Sequence, residues 1–146
     1  MGFFRRALVV PIALSALALV SSPASAQIST QLSIGQPRLG PLGASVSVPL
    51  NFRCDPSLNV AFGDVTVSQV SGHKLATGTG FFVNDFPGVP CTGASQTVIV
   101  QVNSVGGFAF KKGKHAIASA DLTLFNPVSG ALPTTSIIDR PVTIIR

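Results

Sequence analysis

From residue 27 onward, apolar and polar side chains alternate with a period of two in one short segment after another. Gly, Pro, Asn and Asp fall between the segments. Successive side chains of a strand point to opposite faces, so this pattern predicts half-buried strands and an all-β domain. The clearest segment is 45–54. Val46, Val48, Leu50, Phe52 and Cys54 share one parity, and Ser45, Ser47, Asn51 and Arg53 share the other. Cys54 is therefore expected to point into the core. Pro49 has outward parity and no N–H to give to a ladder, which suggests an edge position or a local bulge.

A second strand is expected over residues 60–70, with Val65, Val67 and Gln69 on one face. Val60 and Phe62 have the opposite parity, and a bulge at Gly63 and Asp64 is expected to restore a single inward face. Residues 71–73 read as a turn, with Leu75, Thr77, Thr79 and Phe81 following at alternate positions. Residues 82–90 read as an irregular loop leading to Cys91. Val98, Val100 and Val102 form an inward row. Residues 108–114 read as a connection with buried aromatics and exposed charge. Ala116, Ala118, Ala120, Leu122 and Leu124 form another inward row, whose small alanines allow close approach of an opposing sheet. A last strand covers 135–145, interrupted at Pro141, and a weak first strand covers 28–34. Together these predict an immunoglobulin-like sandwich of about seven antiparallel strands, with a small barrel as the alternative.

The first 26 residues break this pattern. Arg5 and Arg6 precede a 14-residue apolar stretch over 7–20, and Ala24-Ser25-Ala26 supplies small residues for a peptidase. These are the three parts of a cleavable signal peptide over 1–26, with Gln27 opening a single domain over 27–146. A membrane span needs roughly 20 apolar residues, so the stretch is too short to be an anchor. A twin-arginine signal would need a flanking polar residue that is missing here. No membrane span is therefore expected after cleavage, and a secreted or cell-envelope, extracytoplasmic location follows.

Composition narrows the function classes. The full chain has a net charge of +5 and only 10% charged residues. Beyond residue 26 there remain eight Lys or Arg and five Asp, a balance of +3 that is too thin to predict nucleic-acid binding. In an oxidising compartment the two cysteines, Cys54 and Cys91, are expected to form one disulfide. Its 37-position loop is worth roughly 4 kcal/mol in the chain-entropy model.

The Cys54 strand end, Pro90-Cys91-Thr92-Gly93, and the run from Phe110 through Lys111, Lys112, Gly113, Lys114 and His115 to Ala116 form a recognisable set. It resembles small secreted immunoglobulin-like domains of unknown function from high-GC Gram-positive bacteria. The resemblance covers roughly residues 46–124. It implies the fold and an envelope or extracellular setting, and no activity. Unlike antibody domains, this chain has no Trp, no Tyr and a Cys54–Cys91 separation of only 37, so the disulfide is expected to clamp a strand end to a loop rather than cross the centre of the sandwich.

Candidate chemistry is sparse. His73 and His115 are the neutral-pH bases, and no nucleophile elbow accompanies them. No metal, cofactor or catalytic set is expected, and the chain reads as non-enzymatic. Without Tyr or Trp a carbohydrate platform is disfavoured. Lys111, Lys112 and Lys114 form the one charge cluster, a candidate anion contact toward an anionic cell-wall polymer or simply a solvated turn. Phe81, Phe82 and Phe86 surround the loop before Cys91 and form the candidate contact loop. Phe81 and Phe82 cannot both face one core in a regular strand. The leading expectation is a contact module for an envelope protein or cell-surface polymer. The alternative is a binder of a small apolar ligand in a pocket lined by Phe81, Phe86, Phe108 or Phe110.

Overall fold

The computed structural model describes residues 29–83 and 88–146, with only the backbone of Lys114. The signal peptide expected over 1–26 and Phe86 lie outside the described residues. The strands are β1 (Gln31–Ile34), β2 (Arg38–Leu39), β3 (Ser45–Arg53), β4 (Asn59–Ser71) and β5 (Lys74–Val83). They continue with β6 (Val89–Pro90), β7 (Gln96–Val105), β8 (Gly113–Phe125) and β9 (Thr134–Ile144). One short 3₁₀ turn, Pro41–Gly43, precedes β3. Seven of these nine strands exceed two residues; β2 and β6 are short additions.

The pairing is antiparallel throughout the named strands and runs β1-β3-β7-β5-β4-β8-β9, with β2 on β3 and β6 on β4. One continuous sheet thus curls around the core. It nearly closes: the Leu39 N–H donates to the Ile145 carbonyl at 2.7 Å, and the Ile145 N–H to the Pro37 carbonyl at 2.9 Å. Near-closure removes most of the free strand edge.

The alternating rows form the core. Val46, Val48 and Leu50 of β3 and Val100 and Val102 of β7 meet Val65 and Val67 of β4 and Ala116, Ala118 and Ala120 of β8. β4 takes its parity switch earlier than Gly63 and Asp64. The register slips between Val60 and Phe62, so Val60 and Gly63 are buried and Phe62 turns outward. The ring of Phe82 occupies the space beside Gly63 that a larger residue would need. Pro49 is not at an edge, since β3 is flanked by β1, β2 and β7. It sits where β1 gives way to β2, and its carbonyl accepts from the Gly35 N–H at 2.7 Å. A residue's N–H and C=O lie on the same side of an antiparallel strand, so the missing donor faces that interruption.

A corner of the nearly closed sheet lies between β5 and β7, which pair only over Thr77–Val105, Gly78–Ser104 and Thr79–Asn103. The inward row of β5 is Ala76, Gly78, Gly80 and Phe82, and the row of Leu75, Thr77, Thr79 and Phe81 is the outward or partly covered one. A Cβ on Gly80 would lie 2.2 Å from the Gln101 carbonyl oxygen, and one on Gly78 would lie 2.3 Å from that of Asn103. Glycine lets the two backbones approach closely enough to turn the sheet.

Among the described residues the β5–β7 register stops at these three pairs, and the disulfide ties strands on either side of that junction. Cys54 follows the last residue of β3, and Cys91 follows β6, which pairs with β4. Their Cα atoms are 5.4 Å apart, within the ordinary range for a bridge. Both cysteines are buried with Phe52, Val60, Leu122 and Leu124 in a second apolar cluster. The Cys91 N–H also donates to the Leu58 carbonyl at 3.0 Å. We expect the double variant Cys54→Ser, Cys91→Ser to lose about 4 kcal/mol in urea unfolding. Hydrogen exchange should accelerate first in residues 80–83 and 96–99.

Candidate functional site

Three surface regions carry the residues singled out by sequence: the end of the barrel at Lys111 and Lys112, the outer face of β4 and β5, and the two histidines. They lie on different parts of the fold.

The barrel end opposite the disulfide is closed by a plug. The Phe110 ring is fully buried, whereas Phe108, expected to be buried with it, is 42% exposed with the Lys74 ammonium 5.4 Å from its ring centre. Phe110 is held by two neighbours. Its N–H donates to the Gly43 carbonyl at 2.8 Å, and its own carbonyl oxygen lies 2.2 Å from where a Gly43 Cβ would be. Gly43 has a φ of 71°, a second reason for glycine there. Gln69, a buried amide on the otherwise apolar row of β4, accounts for the rest. Its Oε1 accepts from the Lys111 N–H at 2.7 Å and its Nε2 donates to the Lys111 carbonyl at 2.8 Å. A buried polar group must be paired, and here the pairing pins the loop. Ser104 Oγ donates to the Phe108 carbonyl.

Lys111 and Lys112 are exposed on this end. They line a depression of about 610 Å³ with Leu39, Leu42, Phe110 and Arg146. An adjoining depression of about 230 Å³ includes Lys111, Lys74, Phe108, Ala109 and Ser71. Sequence reading found the lysine cluster but missed Lys74 and Arg146, which come from distant segments. The hairpin register Ser71–Lys74 and the Ile145–Pro37 hydrogen bond bring them in.

The outer face of β4 and β5 is the second region. Phe81 is 76% exposed and Phe82 points to the core, so the pair divides between the two faces. Phe62, 44% exposed, lies directly opposite Val83, 69% exposed. Phe81 is two residues along on the same face, roughly 7–8 Å away as a diagonal neighbour. The result is an exposed apolar patch. Phe62 carried no sequence signal for this role, because its exposure depends on the register slip at Ala61. The outer face of β3 and β7 is largely polar by contrast. There Ser47 Oγ donates to Gln101 Oε1 at 2.8 Å, and Thr97 Oγ1 to Asn51 Oδ1 at 2.7 Å.

Beside the patch, Asp64 stands between Phe81 on β5 and Asp121 on β8, each its direct register partner. Partial burial pushes its carboxyl above the ordinary 3.8, and the Asp121 carboxylate adds to the rise. Folded protein therefore holds this proton more tightly than unfolded chain does. The associated stability is fully present below 3.8 and is lost as pH climbs through the raised value.

His73 sits in the β4–β5 turn and His115 at the start of β8 with a φ of 67°; both are exposed. Neither lines the depressions described above. Among the described residues, no group of three or more His, Cys, Asp or Glu is placed to hold a metal ion. Also among them, no helix is long and apolar enough to cross a membrane. The sequence matches no family model, and no curated protein is detectably similar to it.

Two outcomes follow from this geometry. Gln69→Leu leaves both backbone groups of Lys111 without their partner and should cost about 1–3 kcal/mol. The accompanying loss of amide protection should concentrate at residues 108–112. Asp64→Asn removes a like-charge pair and should stabilise the protein by up to about 1 kcal/mol at neutral pH. Urea titrations well below pH 3.8 should show no such gain.

Proposed function

We propose that this chain is an exported, non-enzymatic β-domain of the bacterial envelope that acts by protein contact through the outer face of β4 and β5. The observation that carries this reading is the patch of Phe62, Phe81 and Val83. Two phenylalanines and a valine held out from a rigid sheet lose little conformational freedom on docking. Large exposed aromatics are also the residue type that dominates interface energetics. The disulfide is compatible with an extracytoplasmic setting, and the N-terminal pattern of Arg5, Arg6 and the apolar stretch supplies the route.

The immunoglobulin-like reading belongs to the same proposal. It rests on the Cys54, Cys91 and Phe110–Ala116 motifs and on the burial of β3 and β7 side chains against those of β4 and β8. The alternative, a small apolar ligand in a Phe-lined pocket, has weaker support. The depression at Phe108 is also walled by Lys74, Lys111 and Ser71, a lining that suits a polar visitor better.

A photo-crosslinking phenylalanine analogue at position 81, introduced in the producing organism, should give a discrete protein adduct in the envelope or culture fraction. The same probe at Ser47, on the polar face, should give none. Absence of any adduct at 81, or an identical adduct pattern at 47, would overturn the contact reading.

A further inference from the structure

We propose that the plugged end of the barrel docks peripherally on an anionic lipid surface, with Leu42 as its inserting tip and the surrounding cations facing the headgroups. This surface is separate from the Phe62, Phe81 and Val83 patch, and either assignment can fail without the other.

Leu42 is 98% exposed at the crest of the 3₁₀ turn, with a φ of 54°. A bulky residue in the left-handed region is an outlier that costs energy. The fold therefore holds out a large apolar side chain in a conformation that Asn or Gly would adopt more easily. The turn beneath it is built. The Ala44 N–H donates to the Pro41 carbonyl at 3.1 Å, and Gly43 is buried against the Phe110 carbonyl. Little ordering remains to be done when the tip meets a surface.

Cations and apolar side chains interleave around this tip. Lys111, Lys112 and Arg146 share the depression with Leu42, and Lys74 stands beside Lys111 in the next one. No acidic side chain lines either depression. The described aspartates lie elsewhere: Asp55 just past Cys54 at the disulfide end, Asp64 and Asp121 midway along β4 and β8, and Asp139 within β9. At the rim, exposed Val70 and Leu75 are register partners beside the β4–β5 turn, and exposed Val105 faces Thr77.

This combination separates a lipid surface from a soluble anionic polymer. A polymer in water would reward the lysines and leave Leu42 hydrated. A bilayer interface takes both, the cations at the anionic headgroups and the apolar tip at the acyl boundary. An exposed apolar cluster with cations among it is how a peripheral protein gains two weak attractions at once.

The test is co-sedimentation of the oxidised protein with vesicles of phosphatidylcholine alone and of phosphatidylcholine with phosphatidylglycerol. All variants share one N-terminus, so differences between them report the barrel end. Binding should require phosphatidylglycerol and weaken with added salt. Lys111→Gln with Lys112→Gln should lower affinity about thirtyfold, near fivefold for each lysine. Leu42→Asn should lower it at least about tenfold, while the thermal midpoint stays level or rises because Asn tolerates the left-handed backbone. Phe81→Ser should leave vesicle binding unchanged. Equal binding to pure phosphatidylcholine would overturn the proposal, as would a Leu42→Asn variant that binds like the parent. A Phe81→Ser loss as large as that of Leu42→Asn would also overturn it. So would tight binding of soluble poly(glycerol phosphate) indifferent to Leu42→Asn, which would assign the basic end to a polymer.

Discussion

A sheet that curls almost into a barrel depends on the pairing that joins its two halves, and here that pairing is short. β5 and β7 share only three register pairs, all toward the Phe110 end. Beyond them no register pair among the described residues joins β7, of the half made of β1, β3 and β7, to β5, of the half made of β5, β4, β8 and β9. The Cys54–Cys91 bridge ties the end of β3 to the segment paired on β4, across that gap. The opposite end is fastened without covalent chemistry, by one buried ring, one buried amide and the Gly43 contact.

The composition of the interior explains why such fasteners are needed. The core rows are mostly Val and Ala, with Phe52 and Phe110 as their large buried aromatics. Small side chains let the two halves approach closely, and each contributes modest apolar area. A covalent tie at one end and a hydrogen-bonded plug at the other compensate for that thin core.

Fastening from within leaves the outside free to differ from face to face. The β3–β7 face is stitched by side-chain hydrogen bonds, the β4–β5 face holds out aromatics, and the plugged end gathers cations around Leu42. Both apolar displays work against solubility, and Leu42 adds backbone strain. Features that cost stability and sit on rigid supports are where binding is best sought.

Inside-outside alternation was legible residue by residue in β3, β7 and β8, because a side chain's parity along a strand decides its face. The all-β class and the single disulfide followed from the same rows and the cysteine count. The rest was not local. β5 presented its apolar-looking row outward because its inward row is glycine-rich, and glycine leaves no hydrophobic signature. The β4 slip moved Phe62 to the surface, a shift set by pairing with β8. Gln69 looked like a polar intruder among valines until Lys111, 42 positions away, supplied its partners. The sequence by itself determined which side chains prefer the interior; the tertiary structure decided which distant segments meet. Periodicity records a preference within one strand, whereas curvature, corner glycines and the company of Lys74, Lys111 and Arg146 depend on contacts between strands.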